Sequence, residues 1–145
     1  MIQPPVSGNN AMPPSGRIFL LTGATGYIGS CVCRKLLEKG EPVRALVRNP
    51  AKARIDGRAF ICRGDVLDIP SLEEFFCTEK GLEVYVIHCA GIVTLAPEYD
   101  QRVHDVNITG TKNIIEQCIK HKVKKLVYVS SSSAIPELPD SRTIT

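Results

Sequence analysis

The sequence has no apolar run near the length of about 18 residues that a membrane-spanning helix requires; its apolar stretches are strand-sized. A transmembrane helix is therefore excluded. Nor is there a marked excess of one charge. Its 18 Lys and Arg stand against 15 Asp and Glu, for a formal net charge of +3, which exerts no strong pull toward nucleic acid. The densest basic run is Lys120, His121, Lys122, Lys124 and Lys125. It brackets an expected helix end and strand start, where cations complement the helix dipole, and reads as a solvated face rather than a phosphate-backbone patch. The six cysteines form no C-x-x-C pair, so the expectation is buried, reduced thiols in a cytoplasmic protein, with no metal site. Residues 1–16 lack the charged and apolar regions of a secretory signal. No solenoid-type repeat is present.

What remains is ordinary for a soluble domain: 145 residues, 43% hydrophobic and 23% charged. Residues 1–16 are rich in Pro, Gly and Asn and show no helical or strand period; a disordered tail is expected there. From Arg17 onward, strand and helix patterns alternate. Strands are expected at Ile18–Thr22, Val43–Val47, Ala59–Cys62, Val84–His88 and Lys125–Ser130. Helices are expected at Tyr27–Lys39, Ser71–Glu79 and Glu98–Lys120. Ile28, Val32 and Leu36 form the apolar stripe of the first helix, joined by Leu37, and Gly40 provides its stop. Ser71 with Glu74 reads as a capping box for the second. Alternating strands and helices imply right-handed βαβ units and a doubly wound parallel sheet, whose ligands bind at the carboxyl ends of the strands.

Between the first strand and first helix stands Thr22-Gly23-Ala24-Thr25-Gly26-Tyr27-Ile28-Gly29. Gly23 permits a tight turn out of the strand, Gly26 lets backbone approach a diphosphate, and Gly29 allows close helix packing. The loop's N–H groups and the helix N-terminus would face the phosphates. A structural turn is the plainer alternative, but glycines in a first helical turn would then only cost stability.

This segment resembles the T-G-x-x-G-x-x-G fingerprint of the extended short-chain dehydrogenases/reductases, which include nucleotide-sugar epimerases, 3β-hydroxysteroid dehydrogenases and dihydroflavonol reductases. Four further segments agree: Gly64-Asp65-Val66, His88-Cys89-Ala90-Gly91, Val106-Asn107-Ile108-Thr109-Gly110-Thr111, and Ser130 to Ser133. The resemblance covers Arg17 to about Pro139 and implies a Rossmann-like sheet of strand order 3-2-1-4-5. It implies a nicotinamide dinucleotide held by Gly23, Thr25, Gly26, Tyr27, Ile28 and Gly29. Asp65 and Val66 would stand near the adenine, Ala90 and Gly91 would leave room beside the fourth strand, and Asn107 would orient site backbone. Asp65 as a turn cap, and Ala90 and Gly91 as packing residues, stay open alternatives. His88 reads as a strand-end histidine rather than a base.

The second strand ends Ala45-Leu46-Val47-Arg48. Arg48 stands where an NAD enzyme offers a carboxylate to the ribose, so NADP(H) is the expected preference, with NAD(H) and a merely superficial arginine as the alternative. Arg44 cannot be placed. By the resemblance, a Ser after the fifth strand hydrogen-bonds the substrate oxygen; Ser131 fits best, Ser132 is the alternative, and a simple polar turn is a third reading. The family's Tyr-x-x-x-Lys pair is absent. Four residues after Tyr27, Tyr85, Tyr99 and Tyr128 lie Cys31, Cys89, Val103 and Ser132. Ala134-Ile135-Pro136 replaces the V-Y-G of sugar-modifying members. The expectation is thus an incomplete cofactor-binding domain, residues 17–145, without the substrate lobe and inactive alone. It would act on a small-molecule substrate in a longer form, and its fifth strand would be open to dimerisation or aggregation. The alternative is a non-catalytic NADP(H)-binding regulatory or redox-sensing module.

Overall fold

Strand β1, Arg17–Thr22, is the centre of a five-stranded parallel sheet of order β3-β2-β1-β4-β5. The computed structural model describes residues 16–94 and 98–131. β2 is Val43–Val47, β3 Phe60–Arg63, β4 Glu83–His88 and β5 Lys125–Tyr128. Helix α1, Tyr27–Glu38, joins β1 to β2, and α2, Ile69–Phe76, joins β3 to β4. Between β4 and β5 run α3, Gln101–His104, a π turn at Asp105–Gly110, and α4, Thr111–Lys120. Residues 1–15 and 132–145 lie outside the described residues, and with them nearly all of the expected tail, Ser132 and Ala134-Ile135-Pro136.

Alternation along the strands sorts the core into two layers. Ile18, Leu20, Val84 and Val86 pack with Leu72, Phe75 and Phe76 of α2 and Ile114 and Cys118 of α4. Leu21, Val43, Ala45 and Val47 pack with Cys33 and Leu37 of α1. Both faces of β1 and β2 are covered, which is why Ile18–Leu21 reads as a continuous apolar run and Arg44 alone interrupts that of β2. β1 pairs along its whole length with β4, setting Thr22 beside His88 at the carboxyl edge.

Several elements differ from expectation. The buried stripe of α1 is Gly29, Cys33 and Leu37; Ile28 is exposed, because Gly29 must face inward against the loop before it. β3 begins and ends one residue later than expected. α2 starts at Ile69, after Asp68, with Pro70 in its first turn. Ser71 is therefore no cap. Its hydroxyl donates to the Asp68 carbonyl at 2.8 Å and accepts the Asp65 N–H at 3.1 Å. The expected helix from Glu98 starts at Gln101, because the Asp100 carboxylate accepts the N–H groups of Arg102 and Val103. It is also interrupted by the π turn. β5 stops at Tyr128, two residues short. Cys33 and Cys118 are buried as expected, and burial pushes the Cys118 thiol up to about 11, but Cys77 is exposed.

Charge is paired at the amino edge of the sheet. Arg17 bonds Glu41, Lys124 meets Glu83 at 2.9 Å, and Lys120 meets Glu73. Among the described residues no helix is long and apolar enough to cross a membrane. Arg44 has a clear place: its Nη1 donates to the Phe75 and Cys77 carbonyls at 3.0 and 2.6 Å, closing the carboxyl end of α2. Cations suit that end of a helix. Arg44→Ala should lower unfolding free energy by about 1–2 kcal/mol in urea titration, while leaving ligand affinity at the opposite edge unchanged.

Candidate functional site

The loop leaving β1 turns at Gly23, where φ is +71°. A Cβ there would stand 2.5 Å from the Cys89 carbonyl carbon and 2.6 Å from the Ala90 nitrogen. Those are backbone atoms and cannot yield. Gly29 is as constrained, since its Cβ would fall 2.1 Å from the Gly23 oxygen. Its role is therefore to close the loop on itself, not chiefly to bring α1 to the sheet. Gly26, by contrast, is exposed and would meet only the Gly23 oxygen, at 3.3 Å.

These close approaches open a cleft of about 270 Å³ at the carboxyl ends of the strands. Gly23, Thr25 and Gly26 line one wall, Ala90 and Gly91 another, and Arg48, Asp65 and Val66 a third. Eight of the expected residues thus converge. The side chains of Tyr27 and Ile28 are exposed, and neither residue lines the cleft. α1 starts with no side-chain cap and no acidic residue in its first turn. Its first N–H groups are thereby left for an external acceptor. Cleft residues not anticipated include Leu46, Val47, Ile92 and Val106; apolar strand-end residues carry no sequence mark separating a cleft lining from a core. Ser131 is exposed beyond β5 and does not line the cleft.

Asp65 caps its turn, as the plainer of its two readings has it. It faces the cleft, and its Oδ1 accepts the Leu67 N–H at 3.0 Å. Asn107 lies in the π turn behind the cleft wall. Its Oδ1 accepts the Ile92 N–H and its Nδ2 donates to the Ile92 carbonyl, each at 2.8 Å. Gly110, in the same turn, presses on Val66, with a Cβ position 2.6 Å from its Cγ2. His88 is fully buried, 2.6 Å from the Thr22 hydroxyl and 3.1 Å from that of Thr111. Burial lowers its pKa to about 4, so it is neutral at pH 7 and closed to solvent, unlike a proton carrier.

The profile of the NAD dependent epimerase/dehydratase family matches residues 19–145. The chain belongs to this family. Cinnamoyl-CoA reductase 1 of Petunia hybrida is 35% identical over 130 residues, which cover 83% of this chain and 37% of that protein. A UDP-glucose 4-epimerase of Thermus thermophilus, solved in complex with NAD, superposes with a TM-score of 0.73 at 27% identity, covering 88% of this chain and 42% of that one. A UDP-glucose 4-epimerase of Thermotoga maritima, solved with UDP-glucose, gives 0.72 at 29% identity, covering 83% and 40%. The chain spans less than half the length of each of these epimerase/dehydratase relatives.

His88 sets a pH dependence for this epimerase/dehydratase domain. Its pKa lies near 4 when folded against about 6.5 unfolded. Between those values the unfolded chain takes up a proton that the folded chain refuses. Stability is therefore complete above pH 6.5 and erodes as pH falls toward 4, by about 2–3 kcal/mol. Glu73 and Asp56, their carboxyls held down to about 2 by the Lys120 and Arg58 hydrogen bonds, act only below the upper part of this window. Urea titrations from pH 7 to 4.5 should show the loss in the native protein and not in His88→Gln.

Proposed function

We propose that this chain is the dinucleotide cradle of an oxidoreductase or epimerase that moves hydride between NADP(H) and a hydroxyl- or keto-bearing carbon of a small substrate. The observation that carries the reading is the start of α1. Uncapped N–H groups, with no acid beside them, follow a loop that lacks Cβ atoms at Gly23 and Gly26 and opens on the cleft. Such a terminus suits a diphosphate. Ala90 and Gly91 keep the facing wall low. When bound, the nicotinamide supplies or accepts the hydride; Ser131 holds the substrate oxygen. The relatives solved with NAD and UDP-glucose, and those named as reductases, are consistent with that chemistry.

NADP(H) is favoured over NAD(H) by Arg48. It lines the cleft at the end of β2, where a carboxylate would otherwise receive the ribose hydroxyls. With Arg44 engaged at α2, Arg48 is the β2-end guanidinium left for a 2′-phosphate, which it can bond in bidentate fashion. Titrating the 145-residue chain with each reduced cofactor tests this. NADPH should bind about tenfold or more tightly than NADH, and Arg48→Ala should remove that advantage while leaving NADH binding unchanged. Tighter NADH binding would refute the preference.

No Tyr in the sequence is followed four residues later by Lys. We infer that a chain without this pair binds cofactor without turnover. The same observation supports a second reading, a non-catalytic module that reports NADP(H) binding. The two part on one measurement: if a longer product of the same gene oxidises NADPH with a carbonyl substrate, the module reading fails. On its own, this chain is also proposed to self-associate. β5 is the sheet edge among the described residues, with Val127 and Tyr128 exposed. Sedimentation should show concentration-dependent dimers that Val127→Lys shifts to monomer; a native monomer at all concentrations would contradict this.

A further inference from the structure

Behind the cleft runs a largely buried line of polar groups. The Ala90 N–H lies 3.3 Å from the Thr22 hydroxyl, which lies 2.6 Å from His88 Nδ1. On the other side of the ring, His88 Nε2 is 3.1 Å from the Thr111 hydroxyl, and that hydroxyl is 2.7 Å from the Asn107 carbonyl. With the buried ring neutral at pH 7, one arrangement of protons satisfies every contact. A carbonyl can only accept, so Thr111 donates to Asn107 and must accept from His88; the ring proton therefore sits on Nε2. Nδ1 is then an acceptor, and Thr22 donates to it. The Thr22 oxygen keeps a lone pair for the Ala90 N–H. The relay runs in one direction from the cleft wall, through the ring, to the π turn. There the Asn107 side chain returns to the wall by clasping both backbone groups of Ile92. The two ends of the circuit thus hold the residues on either side of Gly91.

We propose that His88 and Thr111 are positioning residues for the Ala90–Ile92 wall, acting through this one-way relay although neither lines the cleft. The role extends the dinucleotide-binding reading and rests on it for one of its readouts. Buried networks of this kind tolerate no missing member, because the group left behind has no water to turn to. A packing role alone would depend on shape and not on the hydroxyl.

Thr111→Val keeps the shape and strands the His88 Nε2–H without an acceptor; Thr111→Ser restores the hydroxyl. Native-state amide exchange at Ala90 and Ile92 should quicken about tenfold or more in Thr111→Val, NADPH affinity should fall about tenfold, and both should return toward native values in Thr111→Ser. Exchange at Ala90 and Ile92 unchanged by Thr111→Val would overturn the proposal. So would long-range ¹H–¹⁵N spectra of the native protein at pH 7 that place the His88 ring proton on Nδ1 or on both nitrogens; a proton on Nε2 alone supports it. That measurement needs no variant, so a Thr111→Val protein that fails to fold does not leave the relay unjudged. Exchange and tautomer are both read without cofactor. Failure of the native chain to bind NADPH would therefore sink the cofactor reading, and these two measurements would still decide the relay.

Discussion

At Gly23 the backbone leaving β1 and the backbone leaving β4 come so close that no side-chain atom fits between them. The turn at positive φ, the start of α1 four residues on, and the position of the Ala90–Ile92 wall all follow from that approach. Gly29 then fits beneath the Gly23 carbonyl and sets the rotation of α1, which decides that Cys33 and Leu37 rather than Ile28 enter the core. The cleft is the space left over by these contacts. Its shape is held by backbone against backbone, the least yielding kind of packing available to a chain.

The sheet divides its labour between its two edges. At the amino edge, exposed ion pairs such as Lys124 with Glu83 tie strand starts and helix ends together. Pairs of that kind are individually weak, and the fold rests instead on the apolar layers around Leu20, Val86 and Ile114. At the carboxyl edge the core turns polar. Thr22 and His88 occupy positions that in the middle of the same strands belong to Leu20 and Val86. Polar groups buried there need partners, and the partners they find belong to the segments that shape the cleft.

The strand pattern was legible because β1, β2 and β4 are covered on both faces and so read as mainly apolar runs between turn residues; the sheet order came from the family resemblance, not from that pattern. The glycine loop was legible because its spacing falls between a strand and a helix. The start of α2 is masked in the sequence for a specific reason: Ser71 and Glu74 imitate a capping box, while the Ser71 hydroxyl is engaged by Asp65 and Asp68. The π turn was invisible, since apolar periodicity over 98–120 does not register one additional residue. Arg44 within β2 and Arg48 just past its end share a residue type, and it is α2's last carbonyls that engage the first. Thr111 closes one of the segments that carry the resemblance, but nothing in the sequence pairs it with His88. Its importance comes from what lies 3.1 Å away on another element.

A π turn is an α-helix that carries one residue more than its length needs. Deleting a single residue between Asp105 and Gly110 would be a small edit by the standards of helix formation, and could even ease the backbone. It would also rotate one flank against the other by roughly 100°, and Asn107 and Thr111 could no longer both face their present partners. The surplus residue works as a phase setting between two helical stretches, one keyed to the cleft and one to the core. Insertions and deletions, rather than substitutions, are the changes to which this stretch of the chain has least tolerance.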